Sequence, residues 1–133
     1  GPALVIGMTP LAELARNGAA GLPGDLAAAG IAWRHLPVAD FGVPDEAAQA
    51  AWPAVQALAS GVLARGDRVL VHCHGGCGRS GMAVLRLMIA AGEAPGAALA
   101  RLRAVRPCAV ETKAQMGWAA KGQDGHDQGH RGA

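Results

Sequence analysis

An α/β fold, with a central mostly parallel sheet flanked by helices, is predicted by three features of the sequence. Short apolar runs at 3–8 (ALVIGM), 31–38 (IAWRHLPV) and 68–72 (RVLVH) have strand length. Stretches with helical spacing alternate with them, as in a layered α/β domain. The run RVLVH is β-branched and apolar, which predicts a fully buried central parallel strand.

In chain order, Thr9-Pro10 reads as an N-cap and a first helical position for a stripe at Leu11, Leu14 and Ala15. A short helix is expected over 25–29, stopped by Gly30, and then the second strand. A loop follows at 39–44. The spacing of Ala48, Trp52, Val55, Leu58, Ala59 and Val62 predicts a helix over 45–65 that Pro53 splits or kinks. Three further helices are expected at 80–91, 95–106 and 111–120. Residues 1–121 make one domain, and the Gly-rich polar stretch 122–133 reads as a disordered tail.

The chain of 133 residues is long enough for one core, and 51% hydrophobic with 17% charged residues excludes a disordered character. A net charge of +2, without clustered Lys/Arg and stacking aromatics, argues against a nucleic-acid surface. No uncharged run reaches membrane-spanning length, so no membrane partner is expected. Three cysteines do not make an even disulfide framework, which points to a reducing cytoplasm. A monomer is expected.

The chemistry concentrates in HCHGGCGRSG, residues 72–81, where a cysteine follows a strand and a glycine-rich turn opens a helix. Gly75, Gly76 and Gly78 let backbone N–H groups of His74 to Arg79 turn inward, and the helix adds the positive end of its dipole, so an anion such as phosphate is held. The same field favours the thiolate of Cys73, the nucleophilic form. Arg79, six residues on, can clamp two phosphate oxygens with its planar fork. His72, Cys73, His74 and Cys77 crowd one tight loop and do not match structural zinc spacing, so neither metal nor cofactor is expected. Cys77 is read as a free small side chain, with a reversible bond to Cys73 as the alternative.

Cys-x5-Arg with this glycine pattern and a following Ser resembles the signature loop of the protein tyrosine phosphatase superfamily, dual-specificity branch, and its kinase-associated-phosphatase-like members. GIAWRHLPVADFGVPDE (30–46) resembles the family's general-acid segment, and VRPCAVETKAQ (105–115) its RPGAVETxxQ-like segment. Cys108 stands where that pattern has glycine, and the strands that usually precede Leu4-Val5-Ile6 are missing, so the domain reads as trimmed or minimal. The resemblance implies a phosphomonoester hydrolase acting on phosphoproteins, with Cys73 as nucleophile, Asp40 as general acid and then base, Ser80 donating to the sulfur, His72 supporting the loop and Gln115 helping to place a water. Asp45 is the rival to Asp40, but suits the N-terminal turn of the next helix. Two other functions share the cradle. A silent phosphate-binding module should have lost Cys73 or Asp40, and both remain; a sulfur-transfer or arsenate-reducing enzyme is opposed by the acid segment, Ser80 and the motif's mid-chain position.

Overall fold

The computed structural model describes residues 1–73 and 77–132, with side chains described up to 122. It consists of two compact units, one made of Gly1–Ala39 with Pro44–His74 and the other of Asp40–Val43 with Gly75–Ala133.

The first unit holds β1 (Leu4–Gly7), α1 (Leu11–Arg16), α2 (Leu22–Ala28), β2 (Ala32–His35), α3 (Glu46–Ala64) and β3 (Val69–His72). Its sheet is all parallel, in the order β2-β1-β3. The alternation of strands and helices is therefore realised as predicted. The central place, however, belongs to β1, buried at all four positions, and among the described residues β3 pairs with β1 alone. Leu70 on β3 is 49% exposed, so the fully buried central strand expected at 68–72 is corrected to a half-buried edge. Continuous apolar runs mark strands covered on both faces, whereas among the described residues β3 lies at the sheet edge and leaves Leu70 half exposed.

Two local expectations also change. Pro10, not Thr9, is the N-cap of α1, and no side chain caps it. Pro53 neither splits nor ends α3, which runs unbroken from Glu46 to Ala64. Trp52, Val55, Ala59 and Val62 bury one stripe of α3, which packs on β1 and β3. Proline removes one intrahelical bond, and this packed stripe outweighs that local loss. Asp45 Oδ1 accepts from Ala48 N at 2.9 Å, so Asp45 is the N-cap of α3, the structural role its position suggested.

The second unit holds α4 (Gly78–Ala90), α5 (Pro95–Val105) and α6 (Lys113–Gly132), with α4 packed against both others. The last helix starts two residues later than expected and runs well past Ala120, through backbone read from sequence as a disordered tail. A Cβ on Gly122 would lie 2.7 Å from Arg86 O, so the absence of a side chain there lets α6 keep close contact with α4 beyond Ala120. Once nucleated, each added residue costs little.

Candidate active site

Cys73 lies immediately after β3, 5% exposed, and takes part in no disulfide. Parallel strands all point the same way, so this end of β3 is also where β1 and β2 finish: Gly7 pairs with both His35 and His72. Met8 N donates to His72 O at 2.8 Å, fixing the backbone just before the cysteine. Among the described residues, Nδ1 of His72 has no hydrogen-bond partner. His74, Gly75 and Gly76 lie outside the described residues.

In the second unit the first turn of α4 carries Arg79 and Ser80, buried to 2% and 6% exposure. Burying a guanidinium requires partners. One is Asp40, whose Oδ1 is 3.8 Å from Arg79 Nη2 while its carboxylate stays 58% exposed. The fold thus brings the expected acid and the expected clamp together. Asp40 also accepts from Phe41 N at 3.0 Å, and Phe41 is held at φ 59, which a bulky residue adopts only under constraint.

Gln115 is fully buried and serves two elements. With Thr112 it forms a reciprocal cap at the start of α6: Gln115 N donates to Thr112 Oγ1 at 3.0 Å and Thr112 N to Gln115 Oε1 at 3.3 Å. Its Nε2 donates to Gly42 O at 3.0 Å, so the same amide ties down the segment that carries Asp40. The structure also brings in a residue that the sequence reading passed over. Glu111 Oε1 accepts from Gly78 N at 2.9 Å, directly ahead of Arg79. The T-x-x-Q spacing of Thr112 and Gln115 was the available signal, since it marks a helix start and therefore an ordered residue just before it.

Cys77 and Cys108 form a disulfide across a sequence separation of 31, with Cα atoms 5.1 Å apart. This corrects the reading of Cys77 as a free small side chain and of Cys73 as its alternative partner. The physical reason is the approach of 106–112 to α4: a Cβ on Gly81 would lie 2.8 Å from Ala109 Cα, and only glycine permits that contact. Cys108, the departure from the family pattern, is thereby accounted for. A disulfide persists in an oxidising compartment and is opened in a reducing one, so the cysteine-based argument for a cytoplasmic location loses its basis. Closing a loop of this size is expected to stabilise the fold by about 3–4 kcal/mol. Cys108→Ser should lower the midpoint of denaturant unfolding, measured without reductant, correspondingly; an unchanged midpoint would mean that the bond constrains nothing.

Comparison with known proteins bears on the family and the fold. The family described as "Tc-R-P: Polymorphic toxin system, DSP-PTPase phosphatase" matches residues 9–93. No curated protein matches. Among solved structures, kinase-associated phosphatase bearing serine for its catalytic-site cysteine superposes with a TM-score of 0.80 at 25% identity, over 96% of this chain and 71% of that one. Tk-PTP in its active form gives 0.73 at 28% identity over 91% and 78%, and human DUSP28 gives 0.67 at 19% over 96% and 78%, the latter a likeness of fold alone. No helix among the described residues is long and apolar enough to cross a membrane. With a family match over most of its length, the chain belongs to the dual-specificity branch of the protein tyrosine phosphatase superfamily, in the DSP-PTPase phosphatase family of polymorphic toxin systems.

Proposed function

We propose that the chain hydrolyses phosphomonoesters on proteins, at phosphotyrosine, phosphoserine or phosphothreonine, through a phosphocysteine intermediate. The observation that carries this reading is the buried guanidinium of Arg79, held 3.8 Å from an exposed Asp40 at the mouth of the helix that the Cys-x5-Arg loop opens. The Cys73 thiolate attacks phosphorus, and the bond from phosphorus to the leaving oxygen breaks as Asp40 supplies that oxygen with a proton. Arg79 and backbone N–H groups of the loop between Cys73 and Arg79, other than that of Gly78, which is donated to Glu111, hold the equatorial oxygens, where charge gathers. Asp40, now a carboxylate, takes a proton from water; the water oxygen bonds to phosphorus, the phosphorus–sulfur bond breaks, and Ser80 donates to the departing sulfur. His72 braces the loop. Gln115 supports the acid segment through Gly42 and offers its remaining amide proton to the water.

The test uses p-nitrophenyl phosphate and phenyl phosphate in EDTA, under argon and without thiol, so that Cys73 stays reduced and the Cys77–Cys108 bond stays closed. Phenolate leaves poorly without a proton, so Asp40→Ala should slow phenyl phosphate by about 10²-fold or more and p-nitrophenyl phosphate much less. Only the protonated acid can donate. The difference in slowing between the two esters therefore reads out proton donation by Asp40. Equal slowing of both esters would remove Asp40 from the role, and phosphate binding without any turnover would leave a silent phosphate-recognition module.

A further inference from the structure

The segment between α5 and α6 touches the first turn of α4 repeatedly. Cys108 is bonded to Cys77, the N-cap of α4, and Ala109 lies against Gly81. The segment is itself fastened: Arg103 Nε donates to Ala109 O at 2.9 Å and Nη2 to Val110 O at 2.8 Å, which holds Val110 at φ 64. A β-branched residue avoids that conformation, so this backbone is held by its surroundings.

Glu111 is where the segment reaches the helix end. Gly78 is the first residue of α4, and the N-cap, Cys77, supplies no side-chain acceptor. Glu111 supplies one from 33 residues away, and its charge suits the positive end of the helix. Gly78 is glycine for this reason: a Cβ there would collide with Glu111 Oε1 and lie 2.6 Å from Gln115 Oε1. Glu111 is in turn anchored, because its own N–H donates to Gln115 Oε1 at 2.8 Å, on the same amide whose Nε2 holds Gly42 O. Gly78 and the acid segment are thus tied to one short stretch of backbone.

We propose that Glu111 is a positioning residue, which by holding the Gly78 N–H sets the orientation of the first turn of α4 and so aims Arg79 at phosphate. Its effect on rate rests on the phosphatase reading, whereas its effect on phosphate binding does not. A carboxylate at this end of the helix has an opposite possible consequence, competition with the incoming anion, and the two are separable by substitution. Glu111→Ala removes the acceptor. Glu111→Gln keeps an acceptor and removes the charge.

The readouts are exchange of the Gly78 amide hydrogen by NMR, binding of inorganic phosphate by calorimetry, and kcat and KM for phenyl phosphate. With Glu111→Ala, exchange should quicken and phosphate binding weaken, each by about tenfold, as expected for a lost charge-assisted hydrogen bond. KM should rise with them, and Glu111→Gln should restore all three to within about threefold of wild type. The recovery separates positioning from a general loss of fold, which the glutamine would not repair selectively. Phosphate binding unchanged in Glu111→Ala would overturn the proposal, and tighter binding in both variants would overturn it in favour of competition. A wild-type chain that binds phosphate without turning it over, with Glu111→Ala still weakening that binding, would retain the positioning role and defeat the phosphatase reading alone.

Discussion

Cys73→Ser is expected to reduce phosphatase turnover by at least about 10⁴-fold while leaving the first unit folded. A serine hydroxyl at neutral pH is protonated and a poor nucleophile, and nothing among the proposed roles of Asp40 and Ser80 would activate it. The exchange of sulfur for oxygen is small, and the side chain sits at the end of β3 and not inside the ladder. Stability should change by only about 1 kcal/mol, as for a modest polar change at a buried site. Steady-state kinetics with circular dichroism checks both halves. Turnover within tenfold of wild type would exclude Cys73 as nucleophile, and loss of the fold would assign the residue a structural duty instead.

Arg79→Lys should lower kcat by on the order of 10³-fold, a larger loss than removing the acid should cause on an activated ester. Lysine keeps the charge, but presents one ammonium where arginine presents a planar fork that engages two oxygens at once. The pocket magnifies the difference, because Arg79 is 2% exposed and a shorter reach cannot be made good by water. The ion pair with Asp40 depends on the same guanidinium. Single-turnover rates for wild type and variant give the answer. A loss below tenfold would mean that charge alone suffices and that bidentate holding of the phosphoryl group contributes little.

Much of the local structure was legible because it depends on neighbours in sequence. A cysteine and an arginine six apart, flanked by glycines, predict a turn that opens a helix, and a helix does begin at Gly78. Asp45 as a cap could be read from its place before an apolar helical stripe, and it caps. What could not be read depends on distant partners. RVLVH looks like a central strand, yet the number of strands beside it is a property of the sheet and not of its five residues. Pro53 looks like a break, but its helix is held by contacts made 16 residues or more away in β3 and by β1. Cys108 was visible as a departure, and its pairing with Cys77 appears only when the α5–α6 segment is laid against α4. Glu111 is the same case: one carboxylate among several in the sequence, singled out by the 2.9 Å bond to Gly78.

The phosphocysteine is tested most directly by acid-quenching the enzyme during turnover of p-nitrophenyl phosphate and weighing the intact protein. Asp40→Ala is the suitable background, because it can still take phosphate from an activated ester while lacking the base that frees the cysteine. One added phosphoryl group should be found, located by peptide mapping on Cys73 and absent when Cys73→Ser is introduced into the same background. A phosphoryl group on any other side chain, or steady product formation with no phosphorylated enzyme under these conditions, would contradict the account.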